Sequence, residues 1–307
     1  MAIQDIESKI RNLINRPRRQ YKILQDTSAW NQLCSCLNVI GDTELAISAY
    51  YDAIPKNISE TYLLVYGILQ TLFLQQDAVR NLCEALNIKY NPDPHLQEIR
   101  EIRNESIGHP TKRNFKKKTT WNFISRGTLS KNGFQLMVTS VDSNLPKFKN
   151  IDLLEIIKTQ GVKVADVLSS ILKSLEDEEN EHKEKFMSQK LSEIFPSTLG
   201  YFFSKISEAI HGSMLIALGS GHLKLIKDII EQFEKALIER EIIPANDFIK
   251  YDIDQLRYPI SELEKYFSDQ SQTSLTSEGA YIFLFFIERH TEKLKELAIE
   301  IDENYSS

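Results

Sequence analysis

Apolar residues recur at three- and four-residue spacing along most of the chain, the pattern of amphipathic α-helices. The first stripe consists of Ile3, Ile6, Ile10 and Leu13. Its helix should end before Pro17, because the residue before a proline disfavours helical geometry. The pattern as a whole predicts a mainly α-helical fold.

Glycine and proline predict where the next two helices end. A helix over about residues 28–40 should stop at Gly41, because glycine readily takes the left-handed conformation that ends many helices. Asp42 should then cap a third helix over residues 43–54, which Pro55 closes.

The most apolar helix is predicted to start at Ser59 and to break at residues 91–94. Its apolar side chains occupy most of the helix circumference. They are Leu63, Leu64, Tyr66, Ile68, Leu72, Phe73, Val79, Leu82 and Leu86. Such a helix should be buried on more than one side, in the middle of a bundle or at a subunit interface. A shorter helix is predicted over residues 95–107.

The period changes after residue 118, where two segments alternate or run apolar as strands do. The pair Asn132-Gly133 lies between them and favours a tight type I′ turn, because both residues tolerate positive φ. We therefore predict a β-hairpin from about Thr119 to Val141.

Helical periodicity returns over residues 151–175. The charged run at residues 176–185 either extends that helix into solvent or forms a linker. Further helices are predicted over residues 199–218, 222–241, 260–267 and 278–302. We expect a helical bundle with the β-hairpin over residues 1–180 and a second helical region over residues 186–307.

The 307-residue chain has a net charge of −6 that is unevenly divided. Residues 1–150 contain 20 Lys and Arg against 14 Asp and Glu, a net charge of +6, whereas residues 151–307 contain 17 against 29, a net charge of −12. The overall negative charge argues against a general nucleic-acid binder. The two halves could contact different partners, or the acidic half could be ordinary surface variation.

The sequence favours a cytoplasmic protein that contacts no membrane. No apolar run is long enough to cross a bilayer, and the N-terminus lacks the apolar core of a secretion signal. Cys34, Cys36 and Cys83 are best explained as buried free thiols in a reducing compartment. No Cys/His spacing fits zinc, and we expect no bound metal and no cofactor.

The segment R-N-E-S-I-G-H-P at residues 103–110 gathers the groups best suited to chemistry. Arg103 offers a planar fork of donors for phosphate oxygens, His109 can take or give a proton near neutral pH, and Asn104 can both donate and accept hydrogen bonds. On a straight helix His109 would point away from Arg103. A helix end at Gly108 and Pro110 would fold it back; alternatively, the two residues meet across a twofold axis.

The segment at residues 103–110 is also compatible with an ordinary helix C-terminus that has no catalytic role. It resembles, however, the signature of the HEPN family of helical-bundle proteins. That signature is Arg, four to six residues, then His, often with Asn directly after the Arg. Arg103, Asn104 and His109 match it, and a long apolar helix precedes the motif as in that family. The likeness covers roughly residues 42–175; the hairpin departs from the family pattern, and residues 186–307 resemble nothing comparable.

The resemblance implies a metal-independent endoribonuclease of the kind found in toxin and anti-phage systems. Its site would form between two HEPN domains, and because this chain has one motif, a homodimer would be needed. His109 would be the general base or acid, Arg103 would hold the scissile phosphate, and Asn104 would orient both. Some family members are not nucleases, so the second hypothesis is a non-catalytic protein that dimerises through the bundle and binds a protein partner through its acidic C-terminal half.

A basic run follows the motif directly. Its cations are Lys112, Arg113, Lys116, Lys117 and Lys118. They could bind RNA phosphates, while Phe115 and Trp121 stack on unpaired bases; the alternative is a solvated loop with Trp121 in the core. Arg16, Arg18 and Arg19 form a second cluster that could serve the same groove.

Overall fold

In the computed structural model the chain is mainly α-helical, which confirms the predicted fold class, and one small sheet interrupts the helices. The structure describes residues 2–115, 118–141, 143–268 and 274–306. The helices are α1 (Ile3–Ile14), α2 (Pro17–Leu24), α3 (Thr27–Asp52), α4 (Ile58–Ala85), α5 (Pro94–Arg103), α6 (Leu153–Met187), α7 (Leu199–Ile210), α8 (Ile216–Glu239), α9 (Asp247–Ser268) and α10 (Ser277–Ser306). The strands are β1 (Arg113–Phe115), β2 (Lys118–Ile124), β3 (Gly133–Ser140) and β4 (Ser143–Asp152). Within these described ranges, no helix combines the length and apolar character needed to span a bilayer.

The chain divides into two compact units. The first comprises Met1–Asn15 and Ile23–Glu176, and the second comprises Arg16–Lys22 and Asp177–Ser307. The charged run at residues 176–185 continues α6 and is not a linker. It contains neither Gly nor Pro, and its Glu and Lys residues are good helix formers.

Helix α4 contributes to two separate cores of the first unit through one buried face. Within the chain it is not buried on more than one side as predicted, because Leu63 and Tyr66 are 74% and 45% exposed. One core combines residues of α1, α3, α4 and α6, and the α4 members are Ala78, Val79, Leu82 and Cys83. The other core lies under the sheet, and the α4 members are Val65, Ile68, Leu69 and Leu72. Both ends of the same helix are therefore fixed by packing.

Helix α3 runs through Gly41, where the sequence predicts a helix end. The buried side chains of Leu37, Ile40 and Thr43 continue one stripe past the glycine. Burial of this stripe outweighs the ~1 kcal/mol that glycine costs in a helix interior. The two predicted helices are therefore one, and Asp26 caps its start by accepting hydrogen bonds from backbone N–H groups of the first turn.

The β interruption is a four-stranded antiparallel sheet in the order β1-β2-β3-β4. It contains the predicted hairpin pairing, with Phe123 of β2 opposite Met137 of β3. The outer strands β1 and β4 were not predicted. Strand β4 carries Pro146 and little apolar alternation, and a proline in a strand is tolerated at a sheet edge.

The predicted type I′ turn at Asn132-Gly133 is wrong. Neither residue has a positive φ, and β2 is joined to β3 through residues 125–132, which include a 3-10 turn at Arg126–Thr128. Gly133 is required for a different reason. A Cβ at this position would collide with the carbonyl oxygen of Ile151 in β4.

The second unit has its own apolar core, to which helices α7 to α10 contribute. The arginines at its beginning are paired with acidic side chains of the same unit. Arg16 and Arg18 each lie 3.0 Å from Glu179, and the buried Arg19 lies 3.4 Å from Glu178. These ion pairs occupy the cluster that the sequence offers as a second phosphate-binding patch.

We expect Gly41→Ala to stabilise the protein by about 0.5–1 kcal/mol, because alanine is the better helix former. A Cβ at this position meets no other atom within 4 Å. Urea unfolding followed by circular dichroism measures the change. The matched control is Gly133→Ala, which should destabilise through its collision with β4; a loss of stability in Gly41→Ala would instead indicate that α3 ends at the glycine.

Candidate functional site

The motif at residues 103–109 occupies the end of α5. Asp93 caps this helix by accepting a hydrogen bond from the N–H of His95. After Arg103 the chain continues as a single π-helical turn, Asn104–Gly108, and the N–H of His109 closes it by donating to the carbonyl oxygen of Asn104 at 2.9 Å. Such turns are rare and occur frequently at functional sites.

The π turn corrects the prediction for Gly108. This residue does not adopt the left-handed conformation but lies inside the turn. Glycine is required because the side chain of Arg103 folds forward over it. A Cβ built on Gly108 would lie 2.6 Å from Nη1 of Arg103 and 3.3 Å from Oδ1 of Asn104.

Three neutral groups hold Arg103 in place. Its Nε and Nη2 donate to Oε1 of Gln70 at 3.2 and 2.7 Å, and its Nη1 donates to Oδ1 of Asn104 at 3.0 Å. Its guanidinium carbon lies 4.3 Å from the centre of the Phe73 ring, within the range of a cation–π interaction. Helix α4, which carries Gln70 and Phe73, thereby fixes the direction of the side chain.

Two neighbouring arginines, Arg100 and Arg113, differ from Arg103 because they are paired with carboxylates. Arg100 stacks on the same Phe73 ring at 4.1 Å but donates to Asp77 at 2.6 Å. Arg113 forms ion pairs with Glu101 and, at 3.5 Å, with Glu105. Among the described residues, no carboxylate lies within ion-pair distance of Arg103.

Arg103 therefore keeps both charge and donors for an external anion. A guanidinium has five N–H donors, and three of them are used by Gln70 and Asn104. The remaining two belong to a half-buried group, where a charge-assisted hydrogen bond is stronger than in bulk water. Phosphate and carboxylate are the anions that match this geometry.

His109 directly follows the π turn and is exposed. Its backbone is anchored by the hydrogen bond to Asn104, while none of the described side chains hydrogen-bonds to its imidazole. The ring is therefore accessible to a substrate or to a second protein chain. The structure places Arg103 directly before the π turn, Asn104 at its start and His109 directly after it.

The residues of the basic run after the motif differ in exposure and in pairing. Lys112 is exposed ahead of β1, whereas Arg113 is 9% exposed and paired with glutamates. Arg113 is thus poorly placed for the phosphate contact expected from the sequence. Lys116 and Lys117 lie outside the described residues, as do the side chains of Phe115 and Lys118, although the backbone of Lys118 begins β2. Trp121 is partly buried.

Sequence reasoning did not identify the residues that hold the motif in place. Gln70 and Phe73 are three residues apart on one face of α4, but only tertiary structure shows which face meets α5. Glu101 and Glu105 have the four-residue spacing of one helix face. This spacing indicates that they could share a cationic partner, but it does not identify Arg113 as that partner. No group of three or more His, Cys, Asp or Glu within the described part of the chain could hold a metal ion.

Comparison of the chain with protein-family models, with curated proteins and with solved structures gave no match.

Gly108→Ala should release Arg103 without unfolding the protein. The new Cβ displaces the tip of a flexible side chain, so we expect the free energy of unfolding to change by less than about 1 kcal/mol. The Arg103 Nε–H signal, assigned in NMR spectra with Arg103→Lys, should exchange faster with water in the variant. Gly127→Ala is the control, because a Cβ there meets no atom within 4 Å; unchanged exchange in Gly108→Ala would contradict the contact.

Proposed function

We propose that this chain is a metal-independent endoribonuclease of the HEPN type that acts as a homodimer. The supporting observation is the electrostatic state of Arg103: it is half-buried, its partners are neutral, and two of its donors remain. A permanent cation held in this way is suited to a phosphodiester. The exposed His109, at the other end of the π turn, supplies the group that can move a proton.

RNA provides its own nucleophile for this reaction. His109 accepts the proton of a ribose 2′-hydroxyl, and the 2′-oxygen attacks phosphorus in line with the leaving 5′-oxygen. The new P–O2′ bond forms as the P–O5′ bond breaks, and the 5′-oxygen takes a proton from a general acid. Arg103 stabilises the negative charge on the phosphoryl oxygens. The products are a 2′,3′-cyclic phosphate and a 5′-hydroxyl.

Two proton transfers explain why a homodimer is proposed. One motif supplies one imidazole, which serves as the base, and an acid is needed for the leaving group. A second copy brings a second His109 and a second Arg103, and this is the composite site that the family resemblance implies. The exposure of His109 leaves its ring open to such a partner.

Asn104 is proposed as a positioning residue. Its side-chain oxygen accepts a hydrogen bond from Arg103 at 3.0 Å, and its backbone carbonyl accepts one from the N–H of His109 at 2.9 Å. The same residue therefore links the phosphate-binding group to the proton-transfer group. Small errors in such placement can reduce rates by about a hundredfold.

The 307-residue chain should cleave unstructured RNA in the presence of EDTA. We expect His109→Ala to reduce the rate about 10²- to 10⁴-fold, since it removes general base catalysis, and Arg103→Ala to reduce it about 10²- to 10³-fold. Gly108→Ala should reduce cleavage through the displacement of Arg103. Gel analysis of end-labelled RNA, with phosphatase treatment to identify cyclic phosphate ends, measures both rate and product.

The controls are a histidine and an arginine outside the motif. His95→Ala removes an exposed imidazole at the other end of α5 and Arg80→Ala removes an exposed guanidinium of α4; both should cleave like the wild type. Absence of cleavage by the wild type, or cleavage that survives both Arg103→Ala and His109→Ala, would refute the nuclease proposal. The non-catalytic dimerisation protein would then be the better hypothesis.

We extend the proposal to the toxin and anti-phage class of RNases. Induced expression of the wild-type chain in bacteria should slow growth and fragment cellular RNA, because an unrestrained endoribonuclease degrades transcripts. His109→Ala expressed to the same level should do neither. Equal growth inhibition by both proteins would separate toxicity from RNA cleavage.

A further inference from the structure

Helix α4 presents a row of apolar side chains to solvent on the side away from its two cores. Leu63, Tyr66 and Leu74 are 74%, 45% and 44% exposed. Leu63, Gly67, Gln70 and Leu74 follow one another at steps of four, three and four residues, so they lie in one line along the helix. We call this line, together with Tyr66 on its flank, the α4 stripe. A contiguous exposed apolar surface of this kind marks an interaction site.

The stripe carries no charge. The segment from Thr61 to Gln76 contains no Lys, Arg, Asp, Glu or His. Binding of RNA to the stripe itself is disfavoured, because proteins neutralise phosphates with Lys and Arg. A twofold interface places a surface against a copy of itself, so like charges on it would repel each other. A neutral apolar stripe is free of this repulsion and is suited to a second copy of the chain.

The order of side chains along the stripe fits an antiparallel copy. When two α4 helices cross antiparallel with the twofold axis midway between Gly67 and Gln70, Leu63 of each copy lies opposite Leu74 of the other. The same axis places Gly67 of each copy opposite Gln70 of the other. Because a Cβ at Gly67 would meet no atom of its own chain within 4 Å, the surface there has room for the longer amide side chain. One symmetry operation therefore pairs apolar with apolar and small with large.

The α4 stripe is continuous with the motif through Gln70. The side-chain oxygen of Gln70 accepts hydrogen bonds from Arg103 at 3.2 and 2.7 Å. Arg103 also lies over the ring of Phe73, which is on one flank of the stripe. An antiparallel crossing places this flank of both copies on the same side of the helix pair, whereas a parallel crossing about a twofold axis would place the two flanks on opposite sides.

The antiparallel crossing brings the two motifs close to each other. The two copies of Gln70 are offset by three residues along the helices, about 4.5 Å, and packed helices lie about 8–10 Å apart. Their Cα atoms therefore approach within roughly 10 Å. Each Gln70 holds one Arg103, so two guanidinium groups face one groove, where a phosphate between them would offset their mutual repulsion. This geometry supplies the second motif that the two proton transfers require.

The size of a stable interface brings the motif into contact with the second copy. A specific dimer buries about 800 Å² on each partner. The stripe spans about 17 Å from Leu63 to Leu74, and a helix is about 10–12 Å wide, so the stripe covers only part of that area. The flanking surface beside Gln70 and Phe73, where Arg103 lies, has to supply part of the remainder.

We propose that the α4 stripe is a dimer interface, formed with a second copy packed antiparallel so that Leu63 meets Leu74 and the two Arg103 side chains face one groove. The interface accounts for the apolar residues of α4 that the cores of the chain leave exposed. This inference deepens the proposed nuclease function and rests on it for the role of the shared groove.

The first test measures the oligomeric state of the 307-residue chain by sedimentation equilibrium. The wild type should be a dimer at micromolar concentration. Leu63→Glu with Leu74→Glu should weaken dimerisation at least a hundredfold, because carboxylates would be buried without partners. The variant should keep its circular dichroism spectrum, since both leucines are exposed in the single chain. The control is Leu218→Glu with Leu225→Glu, two leucines of α8 that are 48% and 44% exposed.

A glycine substitution separates the interface from folding. Gly67→Leu adds a side chain where a Cβ meets no atom and introduces a better helix former, so stability to urea should not fall. The same side chain fills the space opposite Gln70 of the second copy and should weaken dimerisation at least tenfold. A wild-type monomer, or unchanged dimerisation in the Leu63→Glu and Leu74→Glu variant, would overturn the proposal. Weaker RNA binding in that variant with an unchanged dimer would show an RNA-binding surface instead.

Engineered cysteines test the antiparallel register. The native thiols Cys36 and Cys83 are buried, and Cys34→Ser removes the third. In this background, chains with Leu63→Cys and chains with Leu74→Cys should crosslink to each other when mixed and oxidised with copper phenanthroline, and neither should crosslink to itself. Crosslinking of Leu63→Cys to itself would indicate a parallel pair and would overturn the shared groove.

The interface and the nuclease fail in distinguishable ways. Dissociation of the dimer by the two glutamates, with no cleavage by the wild type, would support the interface and refute the nuclease. Cleavage that depends on His109, with an unchanged dimer in the glutamate variant, would support the nuclease and refute this interface. Undiminished cleavage by a monomeric glutamate variant would show that one copy holds a complete site, which overturns the shared groove.

Discussion

The rest of the first unit depends on the packing of helix α4 into two separate hydrophobic cores. One end of the helix packs into the core formed with α1, α3 and α6, and the other end packs into the core beneath the sheet. A fully buried Leu or Val side chain contributes about 1.5–3 kcal/mol. Rotation or sliding of α4 would expose such side chains at both ends, so the helix has a single orientation.

A buried amide network adds directional restraint between the two cores. The side-chain N–H groups of Gln160 in α6 donate to the carbonyl oxygen of Leu72 and to Oε1 of Gln75, both at 2.9 Å, while Gln76 donates to Oε1 of Gln160 at 2.7 Å. Buried polar groups are costly without partners. A slip of either helix would break these bonds, so apolar packing and hydrogen bonding select the same register. That register points Gln70 and Phe73 at Arg103.

Sequence patterns correctly predicted the structural features that depend on residues close in sequence. They failed for features that are determined by contacts with residues distant in sequence. Three- and four-residue spacing was sufficient for α1 and for the hydrophobic stripe of α6, but it overestimated the burial of α4, where Leu63 and Tyr66 are exposed. Gly41 was misjudged because its helical conformation is determined by burial of the surrounding stripe. Gly108 and Gly133 were correctly singled out but for the wrong reason, since a close approach by Arg103 or by Ile151 requires glycine at each position, and neither approach is visible in a local pattern.

The electrostatics of the candidate site were likewise not predictable from local sequence. Arg103 and Arg113 are ten residues apart and identical in chemistry, and in the sequence both look like phosphate ligands. In the folded chain Arg113 meets Glu101 and Glu105, whereas Arg103 meets the neutral amides of Gln70 and Asn104. The availability of a cation depends on its partners, and those partners come from α4 and from the end of α5. The packing of α4 and the end of α5 together therefore determine which of the two arginines can bind an external anion.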